Sequence, residues 1–196
     1  MMTEKRSKIT TYDIVAIALM AAFVFVATYF FKIDLPALGG KVSIKLGNGI
    51  CVLAALLLGG WRGALAAAIG CTMFDLMDPV YAPDAWITFI RYFIMAGLCG
   101  VIAHWKGAQG KMFGRNVVAA IVGAYSYSLM YIGSKVIGQM ILGAPSLRNA
   151  IIACTTNITA SLINATAGVV VALVLAPVLH RALEQTTFGQ HVYNHS

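Results

Sequence analysis

Two sets of polar side chains recur at helical spacing in otherwise apolar sequence. Asn157, Ser161 and Asn164 stand at i, i+4 and i+7, so on a helix they form one polar stripe. Tyr127, Tyr131 and Lys135 repeat every four residues in the preceding apolar run, flanked by Ser128 and Ser134. Aromatic faces beside amides suit a flat, hydrogen-bonding small molecule. Stripes on consecutive helices can face each other across a pocket. They can equally be interhelical hydrogen bonds that hold a bundle together. Spacing alone leaves both readings open.

Charges within apolar runs are sharper markers, because a charge at depth in lipid costs several kcal/mol. Asp75 closes one predicted helix and Arg91 lies about one turn into the next. A short loop joins the two helices, so the expected arrangement is a structural ion pair between Asp75 and Arg91. Lys135 has no evident local partner. It either snorkels toward headgroups or meets an acidic or hydroxyl group on a ligand. Small residues form a third pattern: Ala18 and Ala22 stand four apart, as do Gly59 and Gly63, and Ala66 and Gly70. This spacing lets helix backbones approach closely, inside a bundle or against a partner.

Catalytic signatures are missing. The chain has no H-E-x-x-H, no G-x-S-x-G and no Walker lysine loop. The histidines fall at helix ends or in the tail. Cys51, Cys71, Cys99 and Cys154 lie inside apolar runs with no C-x-x-C pair, which argues against a disulfide framework or a zinc site. No metal or cofactor is expected, and an enzyme is disfavoured.

The elements that must position these residues follow from composition. Of 196 residues, 60% are apolar and 11% charged, and mean hydropathy is +0.81. A soluble domain carries about 25% charge. The long apolar runs predict an all-α, polytopic membrane protein, a single bundle of six transmembrane helices over roughly 14–31, 47–59, 63–77, 86–105, 116–142 and 148–179. A loop spans Lys32 to Leu46. The stretch from Ile50 to Met73 reads as two short helices, because a single span would invert the positive-inside rule. The split puts Lys5, Arg6, Lys8, Arg62, Lys106, Lys111, Arg115 and Arg181 on the cytoplasmic side, with both termini. Lys32, Lys41, Lys45 and Arg148 lie outside. The net charge of +7 then reports membrane orientation rather than nucleic-acid binding.

The stretch from Val42 to Trp105 resembles the substrate-binding S components of energy-coupling factor (ECF) vitamin transporters. The branch it looks most like includes riboflavin-type and pyridoxine/hydroxymethylpyrimidine-type members. That branch shows leucine-glycine-aspartate at the start of helix two, then LAALLLGPxxGALAxxIGxxLADL, then a TFIxKG-like helix four. Here Leu46-Gly47-Asn48, Leu53 to Gly59, Gly63 to Ile69, Asp75-Leu76 and Thr88-Phe89-Ile90-Arg91 correspond. Asn48 stands in place of the acidic residue and Arg91 in place of a lysine.

The resemblance implies a six-helix protein that binds one vitamin-like molecule near the outer surface without chemistry. It would dock on a transmembrane coupling subunit and two ATPase subunits. Ala18 and Ala22 match the motif that contacts the coupling subunit, and the loop from Leu35 through Leu46 would gate the pocket. The expected substrate-binding set is Asn48, Tyr127, Tyr131, Lys135, Asn157, Ser161 and Asn164. The rival readings are a facilitator acting alone, or an intramembrane enzyme or scaffold whose stripes are packing glue.

Overall fold

The computed structural model describes residues 10–37, 40–143 and 146–186. Lys5, Arg6 and Lys8, part of the expected cytoplasmic charge, lie outside these residues, as does the tail from 187. Helix α1 covers Thr11–Phe30. Strands β1 (Lys32–Ala37) and β2 (Gly40–Lys45) follow, then α2 (Gly47–Leu58), α3 (Gly60–Met77), α4 (Ala85–His104), α5 (Phe113–Ile141), α6 (Leu147–Ala153) and α7 (Thr155–Glu184).

Local chemistry sets several boundaries. Helix α1 starts at a capping box: the Thr10 hydroxyl accepts from the Asp13 amide, and the Asp13 carboxylate accepts from the Thr10 amide. Asp13 also faces Arg62 Nε at 3.1 Å, both side chains being almost wholly buried, and this ion pair joins α1 to the start of α3. Helices α2 and α3 part at Gly59, whose φ of +83° is readily adopted only by glycine. The turn is tight. A Cβ at Gly63 would lie 2.5 Å from Ala55 Cα, and one at Gly70 would lie 2.5 Å from the Ala21 carbonyl oxygen. Gly63 and Gly70 thus serve packing within the bundle. Ala18 and Ala22 instead face outward, along an apolar groove shared with Ile69 and Met73 of α3.

Helix α2 is the axis of the molecule. All twelve of its residues are buried, and α1, α3, α4, α5 and α7 pack around it. A helix apolar on every side needs such a sheath. Helices α1, α5 and α7, and α4 with its flanking turns, are long and apolar enough to cross a membrane.

Helix α2, expected as a short helix, has 12 residues and rises only about 18 Å, well short of the roughly 30 Å hydrocarbon core. Two of the expected elements need correction. The expected span 148–179 is two helices, with α6 ending at Cys154 and α7 running on to Glu184. The expected loop from Lys32 to Leu46 is an antiparallel hairpin that pairs Ile33 with Ile44 and Leu35 with Val42. The fold is a helical bundle capped at one end by this hairpin. The period-two alternation of Ile33, Leu35, Val42 and Ile44 is the signal that identifies it.

Candidate binding site

The hairpin covers a cavity between α2, α3, α4, α5 and α7. Chain direction brings the start of α2, the end of α3, the start of α4, the end of α5 and the start of α7 to this same end. All seven residues of the expected binding set line the cavity, and so do Asp75 and Arg91. The volume is about 160 Å³. A water needs only about 10–15 Å³ on this measure, and an engineered cavity of about 150 Å³ takes up benzene. There is room for a ring.

One wall is a row of tyrosines. Tyr92 on α4 lies 4.5 Å from Tyr127, centroid to centroid, and Tyr127 stacks on Tyr131 at 6.1 Å with planes 9° apart. The row is pinned from below, where the Tyr92 hydroxyl donates to Asn48 Oδ1 at 2.6 Å. Asn48 therefore braces the aromatic wall. Cations flank Tyr131 at its rim: the Arg91 guanidinium lies 5.6 Å from the ring centroid and Lys135 Nζ 5.9 Å.

The polar stripe of α7 divides by role. Ser161 Oγ donates to Ser128 Oγ at 3.0 Å, and Ser128 in turn reaches the Ser161 carbonyl, so this pair clamps α7 to α5. Asn164 is engaged by the hairpin at both ends of its amide. Its Oδ1 accepts from the Lys45 amide at 2.7 Å and its Nδ2 donates to the Ser43 carbonyl at 2.9 Å. Asn157 is buried, and its Oδ1 has no hydrogen-bond partner among the described residues. A buried amide oxygen in this condition, on a cavity wall, is a free acceptor for whatever enters.

The charges pair differently from the expected scheme. Asp75 does not meet Arg91. Its carboxylate faces Lys45 Nζ at 3.8 Å, and Arg91 Nη2 donates to Ser134 Oγ at 2.6 Å. The hairpin accounts for the Lys45 contact, because β2 ends over the end of α3. Lys135 also has a local partner, Asp84 at 3.3 Å, contributed by the turn before α4.

The hairpin is tied to the α3–α4 loop as well. Lys41 Nζ meets Asp78 at 2.7 Å and Asp34 at 3.3 Å. Ser43 Oγ donates to Asp34 and lies 2.8 Å from the Tyr81 hydroxyl. Partial burial alone would raise the Asp34 carboxyl, but the Ser43 hydroxyl and the Lys32 and Lys41 ammoniums outweigh it and hold it below its ordinary range. Asp78 behaves alike: its hydrogen bond from Lys41 overcomes the opposing effect of burial. Lys41 is raised, chiefly by its bond to Asp78.

Sequence reasoning placed the loop from Leu35 through Leu46 at the pocket but did not single out its Lys45 and Ser43, and it missed Tyr81, Asp84 and Tyr92 as wall residues. The first three sit on the hairpin or the loop it touches, whose contacts depend on a fold that helical spacing does not report. Tyr92 follows Arg91 directly and could have been found by extending the aromatic stripes to α4.

A polar cavity walled by tyrosines lies inside a bundle with four helices fit to cross a bilayer, which is the architecture of a multi-pass membrane protein. The family model described as ECF-type riboflavin transporter, S component, matches residues 8–181, and the chain belongs to that family. This is a family of transporter components and not of enzymes. No curated protein matches the chain.

Proposed function

We propose that this protein is the membrane-embedded, high-affinity substrate-binding subunit of an ECF-type importer for a water-soluble vitamin or a related small molecule. A riboflavin-like or pyridoxine-like heterocycle is the first candidate. The observation that carries the reading is the unpartnered Asn157 Oδ1, buried in a cavity wall that faces the stacked Tyr127 and Tyr131 rings. A flat heterocycle against the tyrosines would offer a ring N–H or hydroxyl to that oxygen.

In this reading the hairpin is the lid, held shut by Asn164 and by the Lys41 ion pairs, and the cavity faces outward under it. Both termini are cytoplasmic, the protein sits in the cytoplasmic membrane, and six segments are embedded in it, with the short α2 enclosed by the others. The exposed Ala18–Ala22 face of α1 is the docking surface for the coupling subunit, which works with two ATPase subunits. The chain itself supplies binding, gating and docking.

Thermal stabilisation of the purified protein tests the binding step. Ligand at about 100 times its dissociation constant adds about 2.7 kcal/mol. A panel that includes riboflavin and pyridoxine should contain at least one compound that raises Tm. If every vitamin in the panel leaves Tm unchanged, the cavity is a packing feature and the stripes are glue. Uptake that persists in cells lacking any ATPase module would instead identify a facilitator acting alone.

A further inference from the structure

We infer that the ligand carries a negative charge, and that Arg91 is its counter-ion. The inference rests on the small-molecule binding proposed above and narrows it to an anionic ligand.

The charge accounting at the hairpin end is nearly closed. Lys32 and Lys41 meet Asp34 and Asp78, Lys45 meets Asp75, and Lys135 meets Asp84. The sequence has seven acidic residues. Of the others, Asp13 is paired with Arg62 and Glu184 with Lys111, and Glu4 lies outside the described residues. Each described carboxylate thus has a cationic partner, and none of them is Arg91.

Arg91 is nevertheless buried, with only 7% of its surface exposed, and it lines the cavity. The groups it contacts are neutral: the Ser134 hydroxyl, which accepts one N–H, and the face of Tyr131. A guanidinium has five N–H donors in a planar fork. Most of that fork is left for the cavity. While the cavity holds water, water solvates the cation. A neutral ligand that displaced the water would strand a desolvated charge, whereas a carboxylate or phosphate would replace the lost hydration with a charge-assisted, two-pronged contact. Serine and tyrosine beside the guanidinium leave that place open rather than fill it with protein.

The test uses the full-length purified protein and matched pairs of probes that differ in charge. These are flavin mononucleotide against riboflavin, 4-pyridoxic acid against pyridoxine, and nicotinate against nicotinamide, each titrated by thermal shift and calorimetry. In the pair that binds, the anion should bind at least about tenfold tighter than its neutral partner. Arg91→Gln should bring the two to within about threefold, chiefly by weakening the anion. The wild-type comparison stands even if that variant folds poorly. A neutral member that binds as tightly as its anion overturns the charge assignment and leaves the binding site intact. If no member of any pair binds, the binding site and the charge assignment fall together.

Discussion

The carboxamide of Asn164 on α7 and the backbone amide of Lys45 on β2 lie 119 residues apart in sequence and meet at 2.7 Å. With its second bond to the Ser43 carbonyl at 2.9 Å, Asn164 completes the ladder that the edge of β2 would otherwise leave open. A neutral hydrogen bond contributes about 0.5–1.5 kcal/mol net. Asn164→Leu should therefore loosen the lid by about 1–3 kcal/mol. Hydrogen exchange at the Lys45 amide should quicken by roughly tenfold for each 1.4 kcal/mol lost, with little change in the α2 amides. Uniform acceleration in both would mean that the clamp holds the whole bundle.

Asn157 should respond differently. Its Oδ1 has no protein partner among the described residues, so Asn157→Ala removes little from the unliganded fold. Loss of a ligand hydrogen bond at a buried site costs about 1–3 kcal/mol, or roughly 5- to 150-fold in affinity. Calorimetry should show that loss while the unliganded Tm shifts by no more than a few degrees. A large fall in Tm with affinity intact would place Asn157 among the packing residues.

The ion-pair network of the hairpin has an acid-side dependence. Asp34 and Asp78 are held below their ordinary value of 3.8. Carboxylates depressed in the folded state stabilise it above the unfolded value, and that contribution is lost as pH falls through the folded values. Lys41 is raised above its ordinary 10.5, so its share is complete below that value and is lost only at still higher pH. The network should hold steady across neutral pH and fail below about pH 4. Melts from pH 3 to pH 7 should show a shallower acid-side fall in Asp34→Asn than in the wild type. These groups are partly exposed, so the difference should be small and should shrink with added salt.

Small residues on α1 and α3 should separate by role. Ala18→Trp and Ala22→Trp place bulk on an exposed face, so Tm should move little, while co-purification with a coupling subunit and its ATPases should be lost. Gly63→Ala puts a Cβ 2.5 Å from the Ala55 backbone and should cost about 1–3 kcal/mol by overpacking. A Gly63→Ala protein with unchanged Tm would show that the α2–α3 contact gives way easily.

The buried pair of Asp13 and Arg62 should behave as a unit. Arg62→Met leaves a buried carboxylate without its cation, at a cost of about 3–5 kcal/mol. Adding Asp13→Asn should restore most of that loss. If the double variant melts no higher than Arg62→Met alone, the pair is not the energetic link between α1 and α3.

Much of the site was legible because helices report themselves through spacing. The Tyr127–Tyr131 row and the Asn157–Ser161–Asn164 stripe follow from a period of 3.6, and the break at Gly59 from a turn signal joined to charge asymmetry. What spacing could not reveal was the division of labour within a stripe. Ser161, Asn164 and Asn157 look equivalent in sequence, yet one clamps a helix, one holds the hairpin and one is left open. That distinction depends on which neighbour arrives, and two of those neighbours are a serine on α5 and a hairpin read only as a loop. The mistaken Asp75–Arg91 pair has the same origin. Adjacent antiparallel helices made the contact reachable, but the hairpin brought Lys45 to Asp75 and so left Arg91 to the cavity.

The complete enclosure of α2 has a consequence for how the protein is made. With no residue of its own against lipid, and too short to cross alone, α2 gains its environment from helices that surround it, and α7 is the last of these to leave the ribosome. A nascent chain that has not yet delivered α7 exposes one flank of α2 together with Asn48. Biogenesis is therefore expected to shelter the α2–α3 pair until α7 arrives. Lesions in α7 that spare the cavity should then appear as degraded protein rather than as weak binding.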